Sequence, residues 1–212
     1  MRITQFRKAS FQVNLFVSTK CAVAIPMRSL LERDVLIQAS LDPFVRMIDF
    51  VSSAKVEGQQ VKVDTIVLHR DGNRYAVEID NFRPPRSIEE EALVLGALSN
   101  LGIRPLPLSP ADILDEPRHS SAREVWHHHQ AYVPFDDRTN VMAAIEEHGA
   151  LSINDLSNLI NVRKPMKSIV CALACEASVE IDLSKPLGGK TTVRASPTGR
   201  SNIRELLSWK LA

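Results

Sequence analysis

Asp64, Glu78 and Asp80 are the residues of this chain whose types and spacing suit chemistry at a metal. Val63, Ile66 and Val67 surround the first, and Ala76, Val77 and Ile79 surround the other two. Short apolar runs rich in β-branched residues read as strands, and Asp71-Gly72 between them signals a tight hairpin. On adjacent strands Asp64 and Glu78 can face each other, while Asp80, two residues past Glu78, points the same way as Glu78. Like charges this close repel unless a cation neutralises them. Three carboxylates at one end of a sheet suit a hard divalent cation, Mg2+ or Mn2+. A plainer role stays open for Glu78 and Asp80, as edge-strand charges that discourage aggregation.

The elements that must position these side chains follow from periodicity. A helix is expected over 28–40, where Leu30, Leu31, Val35, Leu36 and Ala39 recur at helical spacing. Pro43 ends it by disfavouring helix in the residue before. Strands are expected over 45–51, 61–68 and 74–79. Ser87-Ile88-Glu89-Glu90 has the capping-box pattern and opens a helix that Gly102 closes. Residues 103–108, split by prolines, read as an edge strand. Ser109-Pro110 starts another helix, and 122–130 is helical. The sum is a mixed α/β domain. Residues 132–137 read as a linker. Beyond it come a short helix at 141–147, a second from Ser152 and an amphipathic third at about 165–177. Two β-prone segments, 179–183 and 191–195, follow. Three short helices and a basic hairpin describe a winged helix-turn-helix.

The spacing of Asp64 and Glu78-Ile79-Asp80 resembles the PD-(D/E)XK nuclease signature, an Asp followed on the next strand by Glu-x-Lys. Ser29-Leu30-Leu31-Glu32-Arg33-Asp34, followed by Leu41-Asp42-Pro43, is similar to the helix that opens TnsA-type endonuclease domains. Asp112-Ile113-Leu114-Asp115-Glu116-Pro117, running to Ala122-Arg123, is similar to the helix after their core. The resemblance spans roughly Arg28 to Ala195. It implies a restriction-endonuclease-like mixed sheet flanked by helices and then a winged helix. The divisions would be an N-terminal arm at 1–27, a nuclease-like domain at 28–133 and a winged-helix domain at 138–212. It also implies that Glu32 completes a metal site with Asp64 and Glu78, where divalent ions polarise the scissile phosphate and activate water. The implied partners are DNA, a transposase and an ATPase regulator, in the cytoplasm with the nucleoid.

At one position the sequence departs from that pattern. Asp80 stands where the family has lysine, and it cannot supply a cation. Three readings are open: Asp80 adds a metal ligand; Lys62, two residues before Asp64 on the same strand, supplies the cation; or the site is inert and the chain only binds DNA as an adaptor. A regulator built on the winged helix is a further class.

Arg83 and Arg86, just past the carboxylates, can steer a phosphate backbone toward them. Arg163, Lys164 and Lys167 lie at the start of the third tail helix, the one a winged helix puts in the major groove. Lys185, Lys190 and Arg194 on the hairpin suit phosphates, which add affinity without sequence choice. The net charge is +1 overall, with +3 from Arg138 onward and −2 before it. Composition alone therefore does not announce a nucleic-acid partner. His127-His128-His129 are expected in a helix, where consecutive residues diverge and cannot easily share one metal. Cys171 and Cys175 are expected to pack in a core. The three cysteines, few and odd in number, point to a reducing compartment. No apolar run approaches the roughly 20 residues of a membrane span, so no membrane partner is expected. No phosphate-binding glycine loop or Ser-His-Asp pattern occurs.

Overall fold

The computed structural model describes residues 14–56, 58–79 and 86–196. Asp80 and Arg83 lie outside the described residues. The chain enters through a small ribbon, β1 (Asn14–Phe16) antiparallel to β2 (Ile25–Met27). Phe16 and Ile25 are buried, so the ribbon is docked on the core rather than free of it. Helix α1 (Leu30–Leu41) follows. Its N-cap Ser29 accepts the Glu32 amide N–H, which satisfies one of the orphan donors of the first turn.

The central sheet has four strands in the order β3 (Val45–Val56), β4 (Gln59–Arg70), β5 (Asn73–Ile79) and β6 (Ile103–Leu108). The first three are antiparallel and β6 lies parallel to β5 at the edge. β3 runs five residues past its expected end. Ser52, Ser53 and Lys55 break the apolar run, but the ladder to β4 continues to Val56↔Gln59 and holds them extended. At the β4–β5 turn Asp71 and Gly72 take φ of 51° and 74°, the left-handed pair that matches strand twist in a two-residue hairpin.

Helix α2 (Ile88–Asn100) begins with the expected capping box at Ser87 and Glu90. It covers one face of the sheet, packing Val94, Ala97 and Leu98 against Val63, Val67 and Ala76. The other face carries α1, α3 (Pro110–Ile113) and α4 (Arg118–Trp126). The result is a mixed sheet flanked by helices on both sides. α4 stops at Trp126, so His127–His129 fall in the turn after the helix and not inside it.

The C-terminal part contains α5 (Phe135–His148), β7 (Leu151–Ser152), α6 (Ile153–Leu159), α7 (Met166–Cys175), β8 (Val179–Ile181) and β9 (Thr192–Ala195). Its strands form an antiparallel sheet in the order β7-β9-β8. α5 starts inside the segment expected as a linker, because Asp136 and Asp137 in its first turn suit the positive end of the helix dipole. α7 corrects the expectation of an amphipathic helix. Every residue from Ile169 to Cys175 is buried, and the helix is packed among α4, α6 and β8, as an all-apolar run requires. Burial pushes the Cys171 and Cys175 thiols up to about 12. They are packing residues, not nucleophiles. One apolar cluster runs from Ile37 and Ile66 through Val125 and Trp126 to Leu173 and Val193, so both parts of the chain share a core. Among the described residues no helix is long and apolar enough to cross a membrane.

Candidate functional site

The sheet is irregular at one place, and Asp64 is there. Pairing between β3 and β4 shifts from Val51↔Thr65 to Ser53↔Lys62, so Val63 and Asp64 together oppose Ser52. Asp64 has φ of 48°, a left-handed backbone that Asp tolerates better than most residues with a side chain. Such a bulge bends the strand and re-aims a side chain. It also takes carbonyls out of the ladder, and two arginines meet them. Arg28 Nη1 donates to the Asp64 carbonyl at 3.1 Å and Arg86 Nη2 to the Val63 carbonyl at 3.4 Å. Beyond the bulge, Thr65 Oγ1 donates to the Val77 carbonyl at 3.3 Å, past the last β4–β5 pair, Val67↔Ala76.

Glu32 comes to the same place from the first turn of α1. Its side chain is 7% exposed, and a carboxylate so buried needs partners. Arg28 supplies them: its backbone N–H donates to Oε2 at 2.6 Å, and its Nε and Nη2 donate to Oε1 at 2.9 and 2.5 Å. The positive end of the α1 dipole also favours the carboxylate there. Lys62 Nζ lies 2.8 Å from Asp64 Oδ2, with its side chain 81% exposed. Glu78, half-buried on β5, lines the same space.

Together Arg28, Glu32, Lys62, Asp64, Glu78 and Arg86 line a cleft of about 390 Å³. Four of the five residues expected to carry chemistry are thus brought together, and the fifth, Asp80, is outside the described residues. Arg28 was missed. Its spacing of four from Glu32 was a readable helix-type ion pair, but its reach to the Asp64 carbonyl depends on the bulge. A second groove of about 870 Å³ adjoins the first, and Arg28 and Asp64 line both.

Carboxylate oxygens are the donors a hard divalent cation takes, and the cleft has room for one. Glu32 and Asp64, however, are each held by a cationic side chain. Among the described residues no three acidic, His or Cys side chains stand close enough together to hold an ion. Glu32, Asp64 and Glu78 are of the donor type such an ion takes, with Glu32 and Asp64 engaged by Arg28 and Lys62 in this structure.

The residues expected to meet DNA are dispersed. Arg86 faces the cleft and also approaches Glu91 at 3.4 Å. Arg163 and Lys164 sit in the bend before α7 rather than on it. Lys164 Nζ donates to the Tyr132 carbonyl at 2.8 Å, and Lys167 pairs with Glu124 of α4 at 2.5 Å. Arg194 pairs with Glu180 at 2.6 Å across β8 and β9. Lys185 and Lys190 are exposed in the segment between those strands. No family model matches the chain, and no curated protein matches it in sequence.

Proposed function

We propose that this chain is a TnsA-like DNA endonuclease, or a nuclease-derived subunit of such a mobile-element system, acting at the Asp64 cleft with Mg2+ or Mn2+. One observation carries the reading. Glu32, Asp64 and Glu78 reach a single cleft from three separate elements, with Lys62 beside them and a bulge under Asp64. Nothing in general packing demands three carboxylates in one half-buried space, where their mutual repulsion must be offset.

The roles follow from chemistry. A divalent ion bound there would polarise the scissile phosphate and acidify an attacking water. Glu32, Asp64 and Glu78 would hold it. Lys62 stands in for the missing lysine: freed from Asp64, its ammonium stabilises charge that develops on the phosphate. Arg86 steers the backbone into the cleft. In the C-terminal part, the order α5-β7-α6-α7-β8-β9 with two exposed lysines between the last strands supports a winged-helix reading. Lys185 and Lys190 would touch phosphates there. Arg163 and Lys164 in the bend before α7 and Lys167 in its first turn would add further phosphate contacts, once Lys164 and Lys167 leave Tyr132 and Glu124. A transposase and an ATPase regulator remain the partners the resemblance suggests, in the cytoplasm with the nucleoid.

The test is plasmid nicking with Mg2+ or Mn2+. Cleavage that is lost in Asp64→Asn and Glu78→Gln supports the reading. DNA binding with no cleavage in either metal, alone or with such partners, rejects the enzyme. A second reading, a non-catalytic DNA-binding adaptor, is favoured by the ion pairs that already occupy Glu32 and Asp64.

A further inference from the structure

We infer that Arg28 is a movable latch on the cleft: it holds Glu32 in the free chain and exchanges it for a backbone phosphate of the nucleic acid, so that anion arrival releases the carboxylate. The inference rests on the metal-site reading above and adds a regulation of that site.

Three features carry it. First, Arg28 engages both oxygens of Glu32. Its backbone N–H donates to Oε2 and two guanidinium N–H groups donate to Oε1, so the guanidinium fills one oxygen and its positive charge competes with an ion for the carboxylate. Second, Arg28 is free to move. It precedes α1, and its side chain is 55% exposed while that of Glu32 is 7% exposed. The carboxylate is fixed in the helix, and the cation sits on the solvent side of the pair. Third, Arg28 is placed where a strand would pass. It lines both the 390 Å³ cleft and the adjoining 870 Å³ groove, and its fourth hydrogen bond goes to the carbonyl of Asp64. A guanidinium matches phosphate as well as carboxylate, in the same two-pronged geometry. Transfer from one anion to the other therefore keeps Arg28 paired throughout. Glu32, buried and stripped of its cation, then acquires a strong demand for a replacement positive charge. Nucleic acid and divalent ion would bind with positive coupling, each raising the affinity of the other.

The experiment is titration of the full chain with Mn2+, followed by paramagnetic resonance of the free ion and by calorimetry. It is run with and without a short DNA duplex carrying non-cleavable phosphorothioate linkages. Arg28→Ala should raise Mn2+ affinity in the absence of DNA by about tenfold, the equivalent of removing one competing charge-assisted hydrogen bond. The duplex should raise Mn2+ affinity of the parent chain by a similar factor and leave that of Arg28→Ala nearly unchanged. Arg28→Lys, which keeps the charge but loses the two-pronged grip, should fall between, and it decides the matter if the alanine variant fails to fold. Equal Mn2+ affinity in the parent and Arg28→Lys or Arg28→Ala, or weaker binding in the variants, overturns the latch while the metal site stands. No Mn2+ binding in any form, with or without DNA, overturns the metal site itself and the latch with it.

Discussion

Glu32 and Asp34 lie two residues apart on α1, both are buried, and both meet cationic partners, yet they do opposite things. Glu32 opens on a cleft, and its partner Arg28 is half in solvent. Asp34 is sealed between α1 and α4. His119 Nε2 lies 3.3 Å from its Oδ2, the other ring nitrogen of His119 lies 3.2 Å from Glu116, and Arg123 approaches Asp34 at 3.9 Å. Hydrogen bonds from Ser120 and His119 hold the Glu116 carboxyl below its usual range. One acid faces empty space with a partner able to leave, and the other ties two helices together. Residue type and burial are therefore poor guides to chemistry, whereas an adjoining cavity and an exposed partner are better ones.

The contrast can be broken most directly at the cleft. Glu32→Gln should lower nicking by about 10²–10³, the scale of losing one charge-stabilising group from a reacting site, and should also cost up to about 1–3 kcal/mol because the buried carboxylate loses its charge toward Arg28. Asp34→Asn should cost about 1–3 kcal/mol in chemical denaturation because a buried ion-paired acceptor is weakened, but with nicking intact in the folded variant. Matching losses of nicking in both variants would end the distinction.

Lys20 sharpens it, as a third buried charge without a cleft. The residue is 8% exposed, and its ammonium donates to the Asp42 carbonyl at 2.5 Å. Burial pushes it down to about 8 from 10.5, only partly offset by the Asp42 charge. The folded value lies below the unfolded one, so between about pH 8 and 10.5 the unfolded chain binds more protons and stability rises with pH. Below that window the burial penalty is present in full. Lys20→Met should therefore be more stable than the parent by about 1 kcal/mol at pH 7, after allowing for the lost hydrogen bond. The gain should shrink toward pH 10, as measured by urea titration at the two pH values. A gain that stays constant with pH would show that the charge is not its source. The smallest effect is expected at Arg123, whose side chain is 57% exposed and distant from Asp34. Arg123→Ala should cost under about 0.5 kcal/mol, as solvent-screened pairs do.

Much of the scaffold was readable because it obeys local rules. Ser87 and Glu90 form their capping box, Asp71-Gly72 make the turn, and Pro105 and Pro107 sit on an edge strand. The all-apolar stretch Ile169–Cys175 also announced full burial, had its composition been weighed above its periodicity. The candidate site was legible in its residue types but not in its state. A bulge leaves no trace in an alternating pattern, so the posture of Asp64 and the carbonyls offered to Arg28 and Arg86 could not be read.

The apolar cluster shared by α1, α4 and α7 has a mechanical consequence. The helix that bears Glu32 shares its core with α7 of the C-terminal part. Severing the chain before α5 would therefore leave two pieces with raw apolar faces instead of two working halves.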